Sequence, residues 1–223
     1  MNTRPILLPA VARAAALAAL AVLGASPLAA QYESDVVRSR TTGLIVGAAL
    51  SGSAFRSTEI SDQTERGGGA ELRLGWGFTP KFAIVADAGG ATMDGPASQY
   101  TLGHVDFGAR YSFANARRAF VPYLEAALTG RAMVEPDVET TDQNGNVVTD
   151  DQVFSGFGYT FGGGVQYYIA PALALGADLR WTTGEFDTLQ YGDVSVEGFE
   201  VDATTTRLSL GLTWYPMRSR RER

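Results

Sequence analysis

Along residues 70–78, "AELRLGWGF", Ala70, Leu72, Leu74, Trp76 and Phe78 alternate with Glu71, Arg73, Gly75 and Gly77. A two-residue period places the apolar groups on one face of a β-strand and the polar or small groups on the other. The pattern returns in "HVDFGARYSF" (104–113), where Val105, Phe107, Ala109, Tyr111 and Phe113 oppose His104, Asp106, Gly108, Arg110 and Ser112. It returns in "LALGADLRW" (173–181) and "TRLSLGLTW" (206–214), with Asp178, Arg180 and Arg207 on the polar faces. Softer versions cover residues 43–55, 82–90, 123–131 and 157–169. The chain therefore predicts an all-β fold of eight strands, each of about ten residues, the length a tilted strand needs to cross a bilayer.

The connections alternate as well. "TPK", "ANARRA" and "APA" join strands two and three, four and five, and six and seven. Between one and two lies "RSTEISDQTERGG", and residues 132–155 and 183–204 make two more long connections. Strict alternation of short and long turns predicts an antiparallel up-and-down barrel with unlike ends and with both termini at the short-turn end. In an outer-membrane barrel that end is periplasmic.

Alternation leaves open which face is inside, and a soluble barrel with an apolar lumen is the rival reading. Three features favour the membrane version. The polar faces carry Glu71, Asp87, Asp106, Glu125 and Asp178 against Arg73, Arg110, Arg131, Arg180 and Arg207. A confined lumen requires such balance because an unpaired buried charge is strongly destabilising. Trp76, Phe78, Phe82, Tyr111, Phe113, Phe120, Tyr167 and Trp214 gather where strands meet the short turns, as an interfacial girdle would. The long connections are acidic (Glu135, Asp137, Glu139, Asp142, Asp150 and Asp151 in one, Glu185, Asp187, Asp193, Glu197, Glu200 and Asp202 in another), while Lys81, Arg117, Arg118, Arg218, Arg220, Arg221 and Arg223 sit at the opposite end. The five acids and five arginines of the polar faces, together with His104, define the candidate site: a structural ion-pair network filling the lumen.

The N-terminus adds the compartment. Arg4 and Arg13 precede an Ala/Leu/Val run that ends in "SPLAA", the layout of a secretory signal. Cleavage is expected after Ala30, leaving residues 31–223 as one barrel domain; a retained anchor is the alternative, for which the apolar run is short. The net charge of −6 argues against nucleic acid as a partner. With no cysteine in the chain, disulfides, thiolate chemistry and cysteine metal sites are excluded.

"FVPYLEAALTGR" (120–131), "GGGVQYYIAPALALGADLRW" (162–181) and "WGFTPKFAIVADAGG" (76–90) resemble the eight-stranded outer-membrane β-barrel domain family, the OmpA-like and opacity-protein type of porin-family barrel. The resemblance spans essentially the whole chain after the signal, through short degenerate phrases, and is specific for fold rather than function. It implies an integral barrel among outer-membrane lipid and lipopolysaccharide, built by the barrel-insertion machinery and monomeric. Two departures stand out. No peptidoglycan-binding module follows the barrel, so cell-wall tethering is not implied, and the last strand runs into Pro216 and a basic tail rather than ending on an aromatic residue.

Candidate chemistry is sparse. His104 and Asp106 share a strand face at i, i+2, a spacing that could orient a general base. Lipid A deacylases among the small barrels place His, Ser and an acid on the lipid-facing side, whereas His104 falls on the charged inward face. "TDQNGNVVTDDQ" (141–152) opens like a calcium loop but lacks the glycine at position six and the glutamate at position twelve. It reads better as a hairpin tip turning at Asn144–Gly145. "RSRRER" reads as a solvated tail near anionic headgroups rather than a nucleic-acid patch. The glycines of "GFGYTFGGGV" (156–165) precede another strand instead of a helix, so they make no phosphate cradle. Gly158, Gly162 and Gly164 share the inward face with Thr160 and Gln166, leaving room for long charged side chains. The expectation is a non-enzymatic barrel with a plugged lumen, no cofactor and no metal, and a structural or surface-interaction role. A narrow solute pore and a lipid A-modifying enzyme are the alternatives.

Overall fold

Each alternating segment forms a strand, and each strand hydrogen-bonds to its sequence neighbours until the last meets the first. The strands are β1 (Gly43–Ser57), β2 (Ser61–Gly77), β3 (Phe82–Asp94), β4 (Gln99–Ser112), β5 (Phe120–Thr141), β6 (Val147–Ala170), β7 (Leu173–Tyr191) and β8 (Val194–Trp214). All pairings are antiparallel, and β8 closes against β1 from Val46↔Trp214 to Arg56↔Thr204. The computed structural model describes residues 41–57, 61–95, 98–113, 119–141, 147–191 and 194–216. The predicted signal, the Asn144–Gly145 turn, Asp142, Asp193, Arg117, Arg118 and the basic tail lie outside the described residues.

Closure removes the edges that an open sheet would expose, and the two faces are then sorted by solvent. On the outside, Leu72, Leu74, Val105, Phe107, Leu124, Leu128, Phe157, Tyr159, Leu179, Leu208 and Leu210 are all exposed, Phe157 at 75%. So many large apolar side chains standing away from any protein partner fit a hydrocarbon surround, not water. All eight residues of the expected aromatic girdle are likewise exposed. Phe78 lies 6.3 Å from Phe82, and Tyr111 makes an edge-to-face contact with Phe113 at 5.2 Å.

The long connections differ from expectation. Residues 132–141, 147–155, 183–191 and 194–204 are strand, and β2 begins at Ser61, inside the segment taken as the first long loop. The pairing of β5 with β6 runs on to Thr141↔Val147, and that of β7 with β8 to Tyr191↔Val194. Their composition looked like loop because the outward face changes from apolar to acidic: Asp150, Asp151, Glu185, Asp187, Glu200 and Asp202 are exposed. Alternation continues in these stretches, with the outer solvent now aqueous. The taller half of the barrel, β5 to β8, thus rises beyond β1, which stops at Ser57, and beyond the last β4–β5 pair, Thr101↔Val134. Pro136 lies within a register shift between Glu135 and Val138 that interrupts the pairing of β5 with β6, as suits a residue with no backbone N–H to give the ladder.

Candidate functional site

An eight-stranded barrel has an interior just wide enough for side chains to fill, so the chemistry of the inward faces decides what the lumen can do. Glu71, Asp87, Asp106, Arg110, Glu125, Arg131, Asp178, Arg180 and Arg207 are all buried there, the Arg73 side chain is 9% exposed, and His104 is half-buried. Strand parity places them inside, and register sets their heights.

Arg180, on β7, is the hub. Its Nε lies 2.8 Å from Asp178 Oδ1 and 3.9 Å from Glu125 Oε1; Nη2 lies 3.3 Å from Glu71 Oε2 and 3.8 Å from Asp87 Oδ1; Nη1 lies 3.7 Å from Asp106 Oδ2. One planar guanidinium with five donors reaches all five predicted carboxylates. Arg73 holds Asp87 at 2.6 Å and stands 3.9 Å from Glu125 and 4.0 Å from Asp178. Arg110 donates from Nε and Nη2 to Glu125 Oε2 at 3.0 and 2.8 Å and covers the Tyr123 ring at 4.1 Å. Tyr123 donates to Asp178 Oδ2 at 3.1 Å, and Ser209 donates to Glu71 Oε1 at 3.1 Å.

Nearby, a ring of hydrogen bonds runs across five strands. Thr129 donates to Asp106 Oδ1 at 2.7 Å. Because a carboxylate accepts only, that bond fixes the direction of the next two. Thr160 then donates to Thr129 at 2.6 Å, and Thr182 donates to Thr160 at 2.6 Å. Arg207 Nη2 completes the circuit, 3.2 Å from Thr182 and 2.7 Å from Asp106 Oδ2.

Two predicted members stand apart. Arg131 forms no salt bridge among the described residues. Its Nη1 donates to the Ala203 carbonyl at 2.9 Å and stands 3.5 Å from that of Gly184, with the guanidinium 4.4 Å over the Phe186 ring. His104 is not hydrogen-bonded to Asp106. Both Asp106 oxygens are taken by Thr129 and Arg207, and His104 Nε2 has no protein partner. Residues two apart on a strand share a face, but their side chains run parallel, and the cross-strand donors reach the carboxylate first.

The sequence reading missed that the ionic layer is capped at both ends. On the long-hairpin side, Phe55, Ala91, Met93, Tyr100, Leu102, Met133, Phe186 and Ala203 form one buried apolar cluster. On the short-turn side, Ile45, Ala83, Val85, Val121, Tyr168, Ala174 and Tyr215 form another, with the Tyr168 and Tyr215 rings stacked at 5.7 Å. Within the first cluster, Tyr100 donates to the buried Glu65 carboxylate. Inward parity at residues 55, 100, 133 and 186 was the signal for the first of these caps, and at residues 45, 83, 85 and 121 for the second.

The glycines of β6 make room for the network. Gly164 faces Tyr123 on one side and Asp178 on the other. A Cβ there would lie 2.4 Å from the Ala177 carbonyl oxygen, 2.6 Å from Asp178 Cβ and 2.8 Å from the Tyr123 hydroxyl. Gly164→Ala is therefore expected to lower stability by about 1–3 kcal/mol through overpacking. Gly130→Ala, whose added Cβ meets nothing nearer than 4.0 Å, is expected to stay within about 0.5 kcal/mol of the parent. Urea unfolding of the two variants side by side checks the contrast, and equal losses would refute it.

A closed antiparallel barrel with an apolar exterior and an ion-paired interior defines an integral outer-membrane protein. The family model described as the outer membrane protein beta-barrel domain matches residues 15–214, and the chain belongs to that family. Its barrel is similar to Neisserial surface protein A, at 18% identity and a TM-score of 0.55, covering 78% of this chain and 97% of that one. It is also similar to OprG from Pseudomonas aeruginosa (8% identity, TM-score 0.51, covering 81% and 98%) and to AlkL in lipid bilayers (15%, 0.50, covering 86% and 99%). At these identities the likeness is one of fold. No curated protein sequence matches the chain.

Proposed function

We propose that this barrel is a non-enzymatic and non-conducting component of the bacterial outer membrane, acting through its stability and through the acidic hairpins it raises above the bilayer. The observation that carries this reading is the filling of the lumen: an ionic layer around Arg180 lies between two apolar clusters, so an ion would meet hydrocarbon at both ends. Moving a charge through such a region without partners is strongly unfavourable. The reading places both termini and the short turns in the periplasm, cleavage after Ala30, insertion by the barrel-assembly machinery and a monomeric barrel. The β5–β6 and β7–β8 hairpins then meet lipopolysaccharide and any external partner.

The lumen also argues against the alternatives. A pore for small solutes needs a continuous wet path, whereas two cavities beside the ionic layer are each of about 20 Å³, large enough for one water-sized occupant. A lipid A-modifying enzyme needs catalytic groups on the lipid-facing side, whereas His104 faces the lumen. Planar-bilayer recording tests the reading directly. The wild type is expected to give only rare, brief openings; a steady conductance at neutral pH would overturn the sealed-lumen reading in favour of a pore.

A further inference from the structure

One of these lumenal cavities is built unlike the ionic layer beside it. It has a volume of about 20 Å³ and is bounded by Ser53, His104, Arg131, Thr182, Thr205 and Arg207, with Thr129, Leu102 and Gly103 completing the wall. No carboxylate lines it. Ser53, Arg131, Thr182, Thr205 and Arg207 are each more than nine-tenths buried, so the donors that face it are withdrawn from water.

The donor count is lopsided. Thr129 and Thr182 direct their single hydroxyl hydrogens around the threonine ring and offer none to the cavity. Arg131 Nη2, Arg207 Nε and Nη1, and His104 Nε2 have no protein acceptor. Asp106, the carboxylate bonded to this group, already accepts from Thr129 and from Arg207 Nη2. Arg131 is the more exposed in electrostatic terms. Its donors that are bonded go to neutral carbonyls, and its charge has no counterion among the described residues. A buried guanidinium in that position is strongly destabilising until an opposite charge or a full set of acceptors reaches it. Water could accept hydrogen bonds from these groups but would leave the charge uncompensated.

We propose that this cavity is a binding site for one small monovalent anion of the halide class, held between the Arg131 and Arg207 guanidinium groups and oriented by the His104 ring and the Ser53 and Thr205 hydroxyls. Size sets the class. The space accepts a single water-sized sphere and is too small for phosphate, sulfate or an organic carboxylate. Charge sets the sign, because the polar side chains that face the cavity are donors, cations or rotatable hydroxyls, and the rest of its wall, Leu102 and Gly103, brings no side-chain charge. The anion completes the coordination of Arg131, the one predicted arginine of the network without a salt bridge among the described residues, and ties β5 to β8 through Arg207.

The test uses the full-length barrel refolded in detergent. In crystals grown with bromide, one anomalous peak is expected in the cavity, within hydrogen-bonding distance of Arg131 and Arg207. In parallel, the unfolding rate is followed by heat-modifiable gel migration in chloride and in sulfate at matched ionic strength. Chloride at ten times its dissociation constant is expected to slow unfolding of the wild type about tenfold if the anion leaves before the transition state. Arg131→Gln, which keeps a donor and removes the charge, is expected to abolish the difference between the two salts. A cavity holding water alone in the bromide crystals, or wild-type unfolding at equal rates in chloride and sulfate, would overturn the proposal. Both readings come from the wild type and survive a failure of the variant to refold.

Discussion

Arg180→Met is expected to destabilise the barrel by about 3–5 kcal/mol, the range for removing one partner from a buried ionic cluster. The substitution keeps much of the apolar stem and removes the guanidinium, which lies 2.8–3.9 Å from Glu71, Asp87, Asp106, Glu125 and Asp178. Arg73, Arg110 and Arg207 would remain to face those five carboxylates. The penalty comes mainly from carboxylates left in a confined space rather than from the lost contacts themselves. Removing one of them as well should therefore restore part of the stability. In Arg180→Met with Asp178→Asn, the second change is expected to return about 1–2 kcal/mol, a coupling of the size seen for groups in one network. Urea titration in detergent measures all three proteins. Additive losses in the double variant would mean that Arg180 acts by packing alone.

Phe186→Ala is expected to be nearly as damaging, at about 3–5 kcal/mol, the cost of truncating a buried aromatic in a core that relaxes only partly. Phe186 is fully buried. Its ring lies 6.4 Å from that of Phe55 and 6.5 Å from that of Phe154, and it forms the surface under Arg131. The truncation would open a void in the outer apolar cap and remove the ring from a buried cation. Phe107→Ala, on the lipid-facing side and exposed, removes a ring of the same size without opening a lumenal void. Its loss is expected to be clearly smaller. Unfolding midpoints of the two variants check the comparison, and an equal effect would show that the apolar cap is not a packed core.

Much of this architecture was legible because the period of two assigns each residue to a face before any packing is known. Glu71, Arg73, Asp87, Asp106, Arg110, Glu125, Asp178, Arg180 and Arg207 were placed together by parity, and each of them forms an ion pair in the structure. Partner choice was not legible. Which arginine meets which carboxylate depends on strand tilt and register, and those follow from the whole closed sheet. Arg131 shows the limit, since it shares the parity of Glu125 yet extends toward Ala203 and Phe186 instead of toward an acid. Strand length was missed for a different reason. Where the outward face leaves the bilayer, acidic residues replace leucines and the sequence takes on the composition of a loop, although Phe186 and Met133 still face inward.

The lumenal bonds also impose an order on folding. Ser209 reaches back 138 residues to Glu71, and Arg207 reaches back 101 residues to Asp106. Both donors sit on β8, the last strand, so a chain lacking β8 leaves these acids without two of their donors however complete β2 to β7 become. Contacts this distant in sequence form slowly, because a long loop must be closed before they contribute anything. A partly inserted barrel would therefore hold under-compensated carboxylates against hydrocarbon, a state with little reason to persist. Assembly of this chain should be close to all-or-none, with the arrival of β8 as the committing event.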